Sequence, residues 1–340
     1  MFAHRYGFTC QACHTAVPHL TSFGEAFLAN GYRLPGVKPK PAFPLAMRAQ
    51  LAYASGGNPS SSGPLPKVIV DEVEFLIGGS VGTRGSYWTE LYAVDGGVPG
   101  RARDLWAGWR ATPDGARTPV TLRAGQFTLP LPLDPETFRE TGDHYAIWDQ
   151  TAGENPFAFF DPKLGGQIAF GSAGRALGGT ISVLQGHDAG SGLPARGLDT
   201  MLSLQRTLGD FTLSGYRYDG RRTLPAADDR FARTGFGLGW QRGATRIDGV
   251  YQSGNDSAAD AGGPLRSSGG FVQIRRQLSP RLFAIGRWDA TQDTAFLRSV
   301  TAGLGYRVTR NTRLTVFETG KRDQTGRVVH ELSSSLLLAL

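Results

Sequence analysis

The chain is poor in cysteine, methionine, lysine and histidine, and has no long hydrophobic run. Its 340 residues hold two cysteines, Cys10 and Cys13, so close together that neither can staple a distant loop, which excludes a disulfide-built scaffold. No stretch approaches the roughly 18 unbroken apolar residues of a membrane helix, so a helical membrane protein is excluded. The 47 glycines follow no triplet, which excludes a collagen-like chain. Val, Ile, Leu, Phe, Tyr and Trp recur throughout, which excludes wholesale disorder. The net charge of +7 is scattered along the chain and not clustered, so nothing points to nucleic acid as a partner. What remains is a mainly β chain, long enough for two domains or one large one.

The two cysteines carry the first positive signal. Cys10-Gln11-Ala12-Cys13-His14 fits C-x-x-C-H, the attachment pattern of a c-type haem. Two thiols add across the two vinyl groups of one haem, and the adjacent imidazole reaches the iron from the proximal side. A bare C-x-x-C also serves as a redox dithiol or half of a zinc site. Here there is no second cysteine pair and no βαβ pattern around the motif. One covalent haem c, held by Cys10 and Cys13 with His14 on the metal, is therefore the expectation. Attachment takes place outside the cytoplasm, so the protein is expected to be exported. Residues 1–10 contain no apolar signal core, and the signal peptide is expected to be absent from this sequence.

Residues 1–44 form a segment near the ~40-residue limit below which a chain seldom folds without metal, disulfide or partner. After Pro18, Leu20, Phe23 and Phe27 follow at i, i+3 and i+7, which predicts a helix that Gly31 ends. Its apolar stripe packs either on the porphyrin or on protein.

From Leu45 to Leu340 the period changes to two. Val300, Ala302, Leu304, Tyr306 and Val308 alternate with Thr301, Gly303, Gly305, Arg307 and Thr309, the apolar-out, polar-in code of a membrane barrel strand. Thr234, Phe236, Leu238 and Trp240 alternate likewise, whereas the faces around Phe283 and Phe317 are ambiguous. Tight links at 208–210, 243–244, 279–281 and 310–312 take turns with longer polar ones near 188–196, 219–230, 254–269, 290–296 and 320–327. Outer-membrane barrels have short periplasmic turns and longer outer loops, whereas a β-sandwich or propeller has no reason to segregate them. Counting back from Leu340 gives sixteen strands over 296 residues, about 18 per strand and connection. The sequence thus predicts a sixteen-stranded antiparallel transmembrane β-barrel at 45–340, in contact with outer-membrane lipid, with a small helical haem c segment at 1–44 plugging its lumen. The closing Leu336, Leu338 and Leu340 resemble the apolar end by which bacterial barrels are recognised. The third outer loop, 128–163, is far longer than the rest and carries Phe138, His144, Tyr145, Trp148, Phe157, Phe159 and Phe160. It reads first as a loop packing on itself, and alternatively as an aromatic plug approaching the haem.

The run from Phe2 through Cys10-Gln11-Ala12-Cys13-His14, with Pro18, Leu20, Phe23-Gly24, Phe27 and Asn30-Gly31-Tyr32, resembles the monohaem outer-membrane cytochrome-porin fusions, whose best-known members are the iron oxidases of iron-oxidising bacteria. The match is specific over about the first 36 residues and architectural across the barrel. The resemblance implies an electron conduit. A donor at the cell surface, with Fe(II) the candidate, reduces the haem inside the barrel, and a periplasmic c-type cytochrome takes the electron away. Iron oxidation by this chain is an implication of that likeness.

Residues for the distal haem position stay open. Met47 and Met201 rank equally. By parity with Arg48 and Gln50, Met47 turns outward unless a bulge intervenes; Met201, in phase with Ser203 and Gln205, points inward. His4 and His144 are further candidates, as is an open site, whereas His19 lies too near His14 to reach the opposite iron face easily. Arginine outnumbers lysine 31 to 5, and Arg48, Arg275, Arg287 and Arg307 are candidates for the lumen wall. A basic lumen favours anions and repels Fe(II), so the competing reading is an anion porin with a structural or sensory haem plug.

Overall fold

The protein is described by a computed structural model over residues 2–16, 19–34, 36–38, 40, 43–55, 67–113, 116–133, 140–141, 144–171, 177–186, 197–292, 297–322 and 325–339. The N-terminal segment contains α1 (Phe2–Tyr6), α2 (Cys10–Cys13), a small hairpin of β1 (His14–Ala16) and β2 (His19–Leu20), and α3 (Ser22–Ala29). The expected helix is therefore α3; Gly31 follows it at φ +66, and Tyr32 also takes a positive φ of 62.

Period-two alternation then builds β3 (Leu45–Ser55), β4 (Lys67–Val81), β5 (Gly85–Asp95), the two-residue β6 (Val98–Pro99), β7 (Ala102–Arg110), β8 (Val120–Phe127), β9 (Lys163–Phe170), β10 (Gly178–Gln185) and β11 (Leu198–Leu208). It continues through β12 (Phe211–Thr223), β13 (Asp228–Arg242), β14 (Thr245–Asp260), β15 (Gly263–Gln277), β16 (Leu282–Gln292), β17 (Leu297–Arg307), β18 (Thr312–Arg322) and β19 (Val328–Ala339). Long strands pair antiparallel in chain order, and β19 returns to β3 with Leu336 opposite Leu51, which closes the barrel. Among the described residues this is a closed barrel of sixteen long strands, each overlapping one expected from sequence, with β6 a small addition beside β5. No described helix is long and apolar enough to cross a membrane; the barrel presents strands.

The side-chain code follows the pleat. Val300 and Leu304 are 56% and 48% exposed on the outer face, while Thr301 between them is 1% exposed toward the lumen. Leu336 and Leu338 face outward as well, and Leu340 lies outside the described residues. The ambiguous strands have a packing reason. Phe283 and Phe317 are buried inside, and their rings lie over lumen-facing glycines of β17: a Cβ would come 2.1 Å from Phe283 at Gly305 and 2.3 Å from Phe317 at Gly303.

Two expected outer loops are corrected. Residues 219–230 and 254–269 are largely strand: β12 and β13 are separated by 224–227, and β14 and β15 by Ala261 and Gly262 alone. Their polarity marks the ladder leaving the apolar zone, not its end, because the polar side chains pair across it. Arg221 donates to Asp228 at 2.6 Å and Thr223 to the same carboxylate at 3.1 Å. The 188–196 loop lies outside the described residues.

The third loop, between β8 and β9, is corrected too. It packs on the barrel wall and not merely on itself. Trp148, in α4 (Ala146–Asp149), joins Tyr145, Phe157 and Phe159 in one buried cluster with wall residues Leu184, Tyr216, Tyr218, Phe231 and Phe271. Phe138 lies outside the described residues.

Candidate functional site

The C-x-x-C-H motif sits at the barrel end that has the short turns. Cys10 and Cys13 begin and end the single turn of α2, and neither is in a disulfide. The Cys10 thiol donates to Asn311 Oδ1 at 3.3 Å and Gln11 Nε2 to the Arg310 carbonyl at 3.4 Å, which ties the motif to the β17–β18 turn. Further round the same rim, four strands away, Arg33 donates to the carbonyls of Val81 and Gly85 in the β4–β5 turn, and Arg110 of β7 donates to the Asn30 carbonyl at 3.5 Å. The segment is thereby pinned to the rim at two places.

Locally, Thr21 organises the motif. Its N–H donates to the Cys13 carbonyl at 2.8 Å, its hydroxyl donates to the Ala12 carbonyl at 2.7 Å, and the same oxygen caps α3 by accepting from Gly24 N–H at 3.1 Å. Gly24 completes the contact, since a Cβ there would lie 2.3 Å from the Cys13 carbonyl oxygen. Burial, reinforced by Cys10, pushes the Cys13 thiol up, so it stays protonated near neutral pH. His14 opens β1 opposite Leu20. His19 is buried and held well below the usual histidine range, first by desolvation and then by Arg246, Arg275, His14 and Arg313; its imidazole is neutral.

The expected helical stripe is corrected: Leu20 lies in β2, before the Thr21 cap, and only Phe23 and Phe27 belong to α3. Phe27 is buried in an aromatic group with Phe2, Tyr6 and Tyr32, and Phe23 joins it edge-on to Phe8. Tyr32 carries the stack to Trp88 and Trp106 on the wall, with centroids 5.3 and 6.2 Å away. Leu20 instead lines a cavity of about 870 Å³ between the segment, the foot of the third loop and the wall of β8–β14.

The two methionines lie apart from this motif. Met201 is buried and inward, as its parity predicts, but belongs to the aromatic cluster under the third loop. Met47 shares the outward parity of the exposed Leu45 and Leu51, opposite buried Arg48 and Gln50; the β3–β4 irregularity falls between Gln50 and Leu51 and does not turn it. His144 stacks on Phe160 in the third loop at 3.8 Å and meets Asp149 at 3.2 Å. The His4 side chain lies outside the described residues.

The lumen is not simply basic, which corrects the charge argument. Arg48 pairs with Glu72 at 3.1 Å and Glu74 at 2.5 Å, Arg222 with Asp199 at 2.8 Å, Arg233 with Asp256 at 2.7 Å and Arg287 with Asp289 at 2.7 Å. Arg307 sits at the rim, donating to the Pro280 carbonyl. Sequence reasoning missed these carboxylates, although Glu72, Glu74, Asp199 and Asp256 share the lumen parity of their strands. Two further pairings anchor the loop. Arg275 meets Glu140 at 2.5 Å, and Asn155 donates to both Asp229 at 2.8 Å and Asp256 at 3.0 Å.

The residues fit a covalent haem. Thioether attachment needs two uncombined thiols one helical turn apart and an adjacent imidazole, which α2 and His14 provide. A zinc or iron–sulfur site needs several donors converging on one ion. Among the described residues no three His, Cys, Asp or Glu side chains converge in that way. Cys10, Cys13 and His14 would hold the haem, and Leu20, Phe23 and Phe27 flank the motif.

No family model and no curated protein matches the chain. Solved structures do. The anion-selective porin from Comamonas acidovorans superposes with a TM-score of 0.66 at 10% identity, covering 87% of this chain and 98% of that one. OmpF of Salmonella typhi, in complex with daunomycin, gives 0.62 at 11% identity over 87% and 97%. A loop-deletion mutant of OmpT, an outer membrane protein of Vibrio cholerae, gives 0.58 at 10% over 87% and 98%. These likenesses show a porin-like barrel fold and support an outer-membrane location.

Proposed function

We propose that the chain is an outer-membrane electron conduit. A haem c bound through Cys10 and Cys13, with His14 as its proximal ligand, exchanges electrons between a donor outside the cell and a periplasmic c-type cytochrome. Fe(II) is the donor that the family resemblance brings forward. The observation that carries this reading is where the C-x-x-C-H turn lies: it is pinned inside the rim of the periplasmic mouth, by Asn311 at the β17–β18 turn and by Arg33 and Arg110 further round the ring. The described part of the third loop, anchored through Glu140 and Asn155, packs inside the barrel toward its other end. When bound, the haem supplies a one-electron redox centre. The chain's own Cys10, Cys13 and His14 would hold it in the mouth.

The test uses protein matured with its haem and purified from outer membranes. Oxidised protein mixed with Fe(II) is expected to show reduced haem bands, and Cys10→Ala/Cys13→Ala protein is expected to lack the haem altogether. A haem that forms but is not reduced by Fe(II) moves the donor away from iron. Absence of a haem band in the wild-type protein overturns the reading.

The second reading, an anion porin with a structural or sensory plug, is favoured by the fold likeness to an anion-selective porin and by the many lumen arginines. The carboxylate partners of those arginines weigh against it. Anion conductance in planar bilayers that is unchanged when the haem segment is removed would establish it in place of the first.

A further inference from the structure

Basic residues that lie scattered along the sequence are gathered in space. At the barrel end with the short turns, Arg84 sits between β4 and β5, Arg117 between β7 and β8, Arg281 between β15 and β16, and Arg310 between β17 and β18, all exposed. Lys38 and Lys40 add two exposed cations on the stretch that leads from the N-terminal segment to β3. Among the described residues of the short turns and that stretch, Asp210 between β11 and β12 is the one exposed carboxylate. Arg246 and Arg307 do not add to the excess at the surface: Arg246 pairs with Asp248 at 2.7 Å, and Arg307 turns to the Pro280 carbonyl.

The other end is built differently. Its cations meet carboxylates across the ladder or the third loop: Arg221 with Asp228 at 2.6 Å, Lys321 with Glu331 at 3.1 Å and Arg101 with Asp161 at 2.9 Å. The cations of the short-turn end also fall into two sets. Arg206 and Arg276 share the outward parity of Leu204 and Ile274, face the membrane side and suit lipid phosphates. The six on the turns and the segment lie beyond the strands whose outer faces meet lipid, which favours a soluble partner. They also enclose the haem attachment turn. Gln11 donates to the carbonyl of Arg310 at 3.4 Å, Arg33 donates to the carbonyls of Val81 and Gly85 on either side of Arg84, and the Lys40 N–H donates to the Arg5 carbonyl at 2.8 Å.

We propose that this basic rim is the docking surface for the acidic face of a soluble periplasmic c-type cytochrome. The inference rests on the electron-conduit reading for the class of partner, and adds the surface it meets and the sign of its charge. Cations of one sign around a mouth steer an oppositely charged protein toward it and raise its association rate by about 10–10³-fold. Because Arg310 and Arg84 flank the two places where the segment is pinned, the same field directs the partner's face to the C-x-x-C-H turn.

The experiment uses the full chain matured with haem, in nanodiscs of phosphatidylcholine, whose headgroups carry no net charge. Its probes are two soluble monohaem cytochromes c of similar size, one of net negative and one of net positive charge. Biolayer interferometry reads association, and stopped flow reads electron transfer from the dithionite-reduced protein. At about 10 mM salt the acidic cytochrome is expected to associate about tenfold or more faster than the basic one. That advantage is expected to vanish near 1 M salt, where the screening length is about 3 Å instead of about 30 Å. Lys38→Glu/Lys40→Glu and Arg84→Glu/Arg281→Glu, made as two double variants, are each expected to slow the acidic cytochrome several-fold and to flatten its salt dependence. If a variant does not form the barrel, the wild-type salt series decides alone. Equal association of the two cytochromes with the wild type, or unchanged association of the acidic one with both folded variants, would overturn the docking surface and leave the conduit reading intact. The second of these results, together with a lost preference for phosphatidylglycerol over phosphatidylcholine on reconstitution, would assign the cations to lipid headgroups. Salt-dependent docking of the acidic cytochrome with no electron transfer would keep the surface and overturn the conduit.

Discussion

Gly24 in α3 lies so close to Cys13 that a Cβ on it would stand 2.3 Å from the Cys13 carbonyl oxygen. Glycine in a helix costs roughly 0.5–1 kcal/mol relative to alanine. Here that cost permits direct backbone contact between α3 and the turn that carries both thiols, with the Thr21 cap bridging them at 2.8 and 2.7 Å. Gly24→Val is therefore expected to leave the barrel folded, by heat-modifiable gel migration, while the N-terminal segment becomes protease-sensitive and haem attachment drops. Wild-type haem content and protection in this variant would show that the contact does not hold the motif.

The Arg275–Glu140 pair joins wall and loop where both side chains are buried. Removing one partner of a buried pair costs about 3–5 kcal/mol, because the other is left uncompensated. Arg275→Met is expected to lower the denaturation midpoint by that order, and Arg275→Met combined with Glu140→Leu to recover much of the loss. Chemical denaturation of the refolded barrel in detergent measures both.

Glu140 also makes stability depend on pH. Burial raises its carboxyl above the ordinary 4.5, and Arg275 followed by Arg313 offsets this only in part. The folded protein therefore holds this proton more tightly than the unfolded chain. Its contribution is full below about pH 4.5 and is lost as pH rises through the folded value. Glu140→Gln is expected to flatten that part of the slope when midpoints are compared between about pH 4 and pH 8.

Asn155 holds the loop by a different device. Its amide bridges Asp229 and Asp256, and Asp256 keeps Arg233 at 2.7 Å in addition. Asn155→Ala leaves Asp229 without that donor, a loss of about 1–3 kcal/mol concentrated at the loop. Limited proteolysis is expected to cut within 128–162 faster than in the wild type, and planar-bilayer conductance to rise. Unchanged conductance would mean that the loop stays across the lumen without this anchor.

Two glycines of the wall should respond differently. Gly305 receives the Phe283 ring, so Gly305→Val overpacks the lumen and is expected to cost about 1–3 kcal/mol. At Gly286 an added Cβ meets only Ile274, at an ordinary 3.5 Å, so Gly286→Ala is expected to be near neutral. Thermal loss of heat-modifiable migration compares them directly.

The sequence by itself determined the number and approximate places of the long strands, most of their inward and outward faces and the C-x-x-C-H motif. Each is written in local order: alternation at period two, alternating connections, and five consecutive residues whose chemistry needs no distant partner. The inward parity of Met201 and the outward parity of Met47 were legible for the same reason. Closure of β19 on β3, the seating of the third loop through Glu140 and Asn155, and the pairing of lumen arginines with Glu72, Glu74, Asp199 and Asp256 were decided only in three dimensions. A charge census counts arginines but not which carboxylate each one faces across the barrel. Polar stretches such as 219–230 and 254–269 read as loops until cross-strand pairing shows them to be ladder. The cavity lined by Leu20 and Leu131 exists because a loop of the chain's middle and a segment from its start meet inside one ring, and no local pattern records that meeting.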